Sequence, residues 1–132
     1  MFVFLLGAFS SMSLPPFNYF FINFFTFSIF FIFLFKKKDN FFSYGWVFGF
    51  GYFLTNLYWI TISLTFDQNF SFLIPIALVL IPAFLALFYG LATIIFGLIN
   101  LKNALSSFFL FSLLFGLTEF LRGHVLTGFP WN

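Results

Sequence analysis

The sequence predicts an all-helical fold, a polytopic transmembrane bundle of about five hydrophobic segments, and three observations predict it. Hydrophobic residues make up 63% of the chain and charged residues 6%, where a water-soluble domain carries roughly 25% charged residues. With a mean hydropathy of +1.13, most of the surface of such a chain faces hydrocarbon. The few charges are gathered between apolar runs long enough to serve as membrane helices, which need about 20 apolar residues each. Alternate connectors, finally, differ in the sign of their charge, the pattern of a chain that crosses a bilayer repeatedly.

The first segment, residues 1–14, is short and ends at Pro15-Pro16. A signal peptide is the alternative there: Ser11-Met12-Ser13 is a small-x-small triplet, but the basic start of such a peptide is missing. The second, 17–35, stops at the solvated connector Lys36-Lys37-Lys38-Asp39-Asn40. The third, 41–64, contains Gly45, Gly49 and Gly51 and ends in an aromatic and polar stretch before Asp67-Gln68-Asn69. The fourth, 70–99, carries Pro75 and Pro82 near its start and is expected to be bent or to start late, with neighbours satisfying the carbonyls that proline frees. Asn100 to Asn103, with Lys102, closes it. The fifth, 104–124, is apolar to Leu117 and then turns polar at Thr118, Glu119, Arg122 and His124.

Lys and Arg of short loops stay cytoplasmic. Lys36, Lys37, Lys38 and Lys102 follow the second and fourth segments, so alternation puts them and the amino terminus inside. The Asp67 connector and the end of the fifth segment, 118–132, then lie on the outer face.

Composition also excludes chemistry. Without a cysteine there is no disulfide, thiolate metal site or cysteine nucleophile in these residues. Asp39, Asp67, Glu119 and the single histidine lie far apart in sequence and no glycine-rich phosphate loop occurs, so neither a metal nor a cofactor is expected. A net charge of +2 reflects orientation lysines in connectors and does not point to nucleic acid.

Residues 117–132 read LTEFLRGHVLTGFPWN, and this stretch closely resembles the outward end of the fifth membrane helix in the apolipoprotein N-acyltransferase family. Gly7-Ala8 followed by Leu14-Pro15-Pro16-Phe17-Asn18, and Gly49-Phe50-Gly51 followed by Leu57-Tyr58-Trp59-Ile60, are similar to the family's first turn and third helix. The resemblance runs over nearly the whole chain. It implies a bacterial plasma (inner) membrane protein with multiple passes, and an enzyme that moves an acyl chain from a phospholipid donor to the amino group of a lipoprotein's diacylglyceryl-cysteine. It also implies a nitrilase-like α/β domain with a catalytic Cys, Glu and Lys, none of which maps onto these residues. The chain is therefore expected to be a membrane-domain fragment, inactive alone, whose nitrilase-like region is missing or separately encoded. An unrelated small polytopic protein, such as a transporter or assembly subunit, and a nonfunctional truncation are the alternatives. A transporter would place its polar residues nearer the membrane midplane.

The candidate site residues are Glu119, Arg122, His124, Thr127, Gly128, Phe129, Pro130 and Trp131, as substrate-binding or structural elements. Glu119 and Arg122 are three apart, so a helix puts them on one face, where they form a structural ion pair or present Arg122 to a lipid phosphate. His124 reads as an interfacial anchor or hydrogen-bond donor, with general-base chemistry lacking a nucleophile to serve. Thr127 to Trp131 reads as a fixed turn at the lipid surface or a wall of an acyl-chain path. Gly45 and Gly49 form a GxxxG pair for helix packing. Asn56 is expected to bond to another helix, and Tyr58 and Trp59 to sit in the interface belt. The three-lysine run reads as an orientation signal, smaller than the clusters that bind anionic lipid.

Overall fold

A computed structural model describes residues 1–15, 17–37, 39–57 and 74–125. Among them are five α-helices and no strand: α1 (Phe2–Ser10), which continues into a 3-10 turn (Ser11–Ser13), α2 (Phe21–Lys36), α3 (Phe41–Asn56), α4 (Ile74–Ile99) and α5 (Ala104–Val125). The fold is all-α, as the composition predicts.

Local chemistry explains the boundaries. Asn18, Asn40 and Asn100 have left-handed backbone angles (φ 57°, 53° and 43°), a conformation that asparagine tolerates better than most residues. They stand before α2, before α3 and after α4. α2 consequently begins at Phe21 and not at Phe17. Asn103 Oδ1 accepts from the Leu105 N–H at 2.9 Å, which caps a first turn whose amides have no helical partner. Pro75 lies in the first turn of α4, where its missing N–H costs nothing. Pro82 lies inside α4, and the Trp46 indole of α3 donates to the neighbouring Ala83 carbonyl at 3.1 Å. The expected start of α4 at 70 and the end of α3 at 64 both lie outside the described residues.

Among the described residues, α4, with 26 residues, and α5, with 22, are the helices both long and apolar enough to cross a membrane; at about 1.5 Å per residue each exceeds a hydrocarbon core of about 30 Å. α1 differs from a full crossing helix: its nine residues reach about 14 Å. Its early end coincides with three serines, and two of them divert their hydroxyls to backbone carbonyls, Ser11 to Ala8 at 2.7 Å and Ser13 to Ser10 at 2.8 Å.

α3 is the hub. It packs most extensively on α4 and next on α1, and both contacts are made by glycines. A side chain at Gly45 would collide with the Thr93 side chain and the Tyr89 backbone of α4, and one at Gly49 would meet Tyr89 and Ala86 of the same helix. On the α1 side the collisions are reciprocal: Gly7 faces the Phe48 backbone and Gly51 faces the Phe4 backbone. Thr93, fully buried, donates across the first seam to the Phe41 carbonyl at 2.8 Å. Hydrocarbon supplies no hydrophobic drive for helix association, so close backbone packing and such interhelical bonds take its place.

α2 and α5 meet differently, through rings. Phe27 and Phe30 of α2 stand edge-on to Phe115 and Phe111 of α5, with centroids 5.5 and 6.0 Å apart, and Phe30 stacks on Phe48 of α3 at 4.2 Å. These residues, with Phe53, Leu85 and Tyr89, form the core. The opposite faces carry exposed large apolar side chains on every helix, including Phe24, Phe25, Leu80, Leu91, Leu98, Leu105 and Phe109. A continuous apolar exterior of this kind has lipid as its natural solvent. A polar clip closes one end, where buried Thr26 donates to Ser10 at 3.1 Å and Ser10 donates to the Asn23 side chain.

Candidate functional site

The helices alternate in direction, so the carboxyl end of α3 and the carboxyl end of α5 share one end of the bundle. That end holds the site. Residues three apart on α5 lie on one face, and Arg122 uses this spacing to reach back to Glu119, with Nη2 2.6 Å and Nε 3.3 Å from Glu119 Oε2. Arg122 is buried (side chain 6% exposed) while Glu119 is 37% exposed. The guanidinium carbon lies 5.2 Å from the centroid of the Phe53 ring on α3, a cation–π arrangement that grows stronger out of water. The pair thus does more than neutralise itself: it ties the last turns of α5 to the last turn of α3.

Two tyrosines that sequence reasoning missed complete the cluster. Tyr89 of α4 is 1% exposed and Tyr52 of α3 is 6% exposed, and their rings stack with centroids 5.9 Å apart. The Tyr89 phenol interacts electrostatically with Glu119, Tyr52 and Arg122. Tyr89 also packs edge-on against Phe115 at 5.1 Å and tilted against Phe53 at 5.3 Å. In sequence these tyrosines sit 37 residues apart in two unremarked apolar runs, and nothing in their neighbours marks them. A tyrosine aligned with small residues on a packing face is the available signal, since a phenol buried in hydrocarbon needs a polar partner.

Among the described residues, two buried side-chain atoms are without a hydrogen-bond partner, Glu119 Oε1 and Asn56 Nδ2. Asn56, expected to bond across to another helix, leaves its amide nitrogen unmatched. Unmatched buried groups of this kind cost free energy.

His124 stands apart. It is exposed, its Nδ1 lies 2.8 Å from the Phe120 carbonyl, and its ring packs on Phe120 with centroids 4.0 Å apart. A carbonyl only accepts, so Nδ1 is the protonated nitrogen in this contact. Thr127, Gly128, Phe129, Pro130 and Trp131, like Tyr58, Trp59 and Asp67, lie outside the described residues. Among the described residues no group of three or more His, Cys, Asp or Glu could hold a metal.

Comparison with known proteins decides the relationship. The family model described as the apolipoprotein N-acyltransferase N-terminal domain matches residues 6–132. The chain belongs to the apolipoprotein N-acyltransferase family. It is similar to the apolipoprotein N-acyltransferase of Rhizobium leguminosarum bv. trifolii, with 38% identity covering 96% of this chain and 26% of the relative. The enzyme of the same name from Rhodopseudomonas palustris is 42% identical over 97% of this chain and 25% of its own length, and that of Brucella melitensis is 36% identical over 98% and 26%. The chain spans about a quarter of the length of the curated relatives it matches. No solved structure matches it. Family membership and the two long apolar helices together make this a membrane protein, and the buried Glu119–Arg122 cluster is the polar end of its helical bundle.

Proposed function

We propose that this chain is the membrane portion of an apolipoprotein N-acyltransferase. In this reading the enzyme carries an acyl chain from a phospholipid to the N-terminal diacylglyceryl-cysteine of a lipoprotein. The observation that carries the reading is the family match over residues 6–132. The absence of cysteine means that the family's acyl-thioester forms on residues outside these 132, in the nitrilase-like domain. The phospholipid and the lipoprotein are the partners, and the site of action is the bacterial inner membrane.

In this account the chain crosses the membrane several times, with its amino terminus and Lys36, Lys37 and Lys102 cytoplasmic and Glu119, Arg122 and His124 at the outer face. The geometry favours the structural role for the ion pair over direct phosphate binding, because the guanidinium is already buried against Glu119 and Phe53. A cation held this way positions the end of α5. By the family relationship we assign Thr127, Gly128, Phe129, Pro130 and Trp131 to the wall of the acyl-chain path. His124 serves as an interfacial anchor.

The test is a charge swap in a full-length enzyme carrying this membrane portion. Glu119→Arg and Arg122→Glu singly are expected to abolish N-acylation of a diacylated lipopeptide, and the double exchange to restore at least a tenth of it. Loss in both singles with no recovery in the double variant, at wild-type membrane levels, would show that Arg122 acts directly on a ligand.

A further inference from the structure

The end of the bundle opposite the Glu119–Arg122 cluster holds a cavity that the family relationship does not explain. It has a volume of about 300 Å³ and lies where the end of α2, the start of α3, the end of α4 and the α4–α5 connector converge. Leu34, Phe41, Phe96 and Gly97 line it, with Leu34 and Phe96 buried, and form an apolar floor, while the exposed Lys37 and Lys102 stand at its rim. Asn100, held in the left-handed conformation that ends α4, adds an amide to the rim. No carboxylate lines the cavity. Asp39, the nearest acid in sequence, is outside its lining, and its Oδ2 accepts from the Asn40 side chain at 3.3 Å.

Lys37 and Lys102 are 65 positions apart; in the sequence Lys37 belongs to a run smaller than the clusters that bind anionic lipid, and Lys102 stands alone. Folding joins them over one apolar floor. A site with cations at the rim and hydrocarbon below matches an anionic phospholipid, whose phosphate and acyl chain have that same order. Basic pockets between helix ends at the membrane boundary bind such headgroups, and each lysine near an anionic surface adds about 1 kcal/mol. A soluble anion would gain the rim but not the floor.

We propose that this cavity binds one anionic phospholipid of the surrounding leaflet, with its phosphate between Lys37 and Lys102 and the start of an acyl chain over Phe41 and Phe96. The lipid would fill the notch between the end of α2, the start of α3 and the end of α4 and hold the lysine end of the bundle together. It is not the acyl donor, since the reaction proposed above takes place at the other end.

The test is lipid exchange followed by native mass spectrometry on the purified chain, in nanodiscs of phosphatidylcholine containing phosphatidylglycerol. One phosphatidylglycerol is expected to be retained per chain. The Lys37→Gln/Lys102→Gln variant should lose its preference over phosphatidylcholine by about tenfold or more, as two lysines of the stated strength imply. Lys36→Gln/Lys37→Gln, which removes the same charge but leaves Lys102 over the floor, should lose clearly less. Helical circular dichroism would establish that every variant is folded. Equal losses in both double variants would overturn the site in favour of diffuse attraction, and displacement of the lipid by millimolar inorganic phosphate would overturn the role of the apolar floor. Because both leaflets of a nanodisc contain the lipid, neither result depends on orientation in the cell or on acyl transfer.

Discussion

The α3 seams and the α5 interface solve the same problem by opposite means. On α3, Gly45 and Gly49 toward α4 and Gly51 toward α1 bring backbones so close that no side chain fits between them. α5 is instead held off by phenylalanine rings, and nothing lies within 4 Å of a side chain placed at its Gly116 or Gly123. A cavity of about 290 Å³ lies between α2 and α5, lined by Phe24, Phe27, Phe111, Phe115 and polar Asn23 and Ser112. The most closely packed part of the molecule is therefore α1–α3–α4. α5 is a looser arm that gains its register from ring packing and from the Arg122 anchor at its end.

The contrast can be broken at its strong side first. Gly45→Leu forces a side chain into Thr93 and the α4 backbone and is expected to cost about 3 kcal/mol or more, measured by reversible unfolding in mixed micelles. Gly45→Leu behaving like Gly116→Leu would remove the distinction altogether. Arg122→Ala strands the Glu119 carboxylate; an unpaired buried partner costs 3–5 kcal/mol, and discounting for the partial exposure of Glu119 leaves about 2 kcal/mol. Hydrogen exchange should show the loss confined to the last turns of α5, with α3 and α4 protected as before. Phe30→Leu keeps an apolar side chain but makes it smaller and removes the stack on Phe48, and should cost about 1 kcal/mol in the same unfolding assay. The smallest effect belongs to Gly116→Ala: with open space at that position, better helix propensity makes it neutral to about 1 kcal/mol stabilising.

The all-helical fold and the family were legible in the sequence, because hydrocarbon burial is written in composition and the LTEFLRGHVLTGFPWN stretch is specific. The Glu119–Arg122 pair was legible too, since three-residue spacing acts within a single helix. What was not legible is what depends on which helices become neighbours. Gly45 and Gly49 announce a packing face by their spacing, but Gly7 has no such partner on α1, and its role appears only when α3 lies across it. Tyr52 and Tyr89 become a pair, and Phe53 becomes a seat for Arg122, only after three helices converge. Lys102 gains significance from Lys37 in the same way. The shortness of α1 reflects serine hydroxyls that compete for helix carbonyls, a local effect that an apolar run conceals.

In the proposed topology the lysine end and the Glu119–Arg122 end of the bundle lie on opposite sides of one membrane. The absence of native cysteine permits a direct measurement: single Lys37→Cys and His124→Cys variants, labelled in intact cells with a membrane-impermeant maleimide and again after permeabilisation. The account predicts that His124→Cys reacts in intact cells and Lys37→Cys only after permeabilisation. Labelling of both in intact cells, or of Lys37→Cys alone, would contradict it.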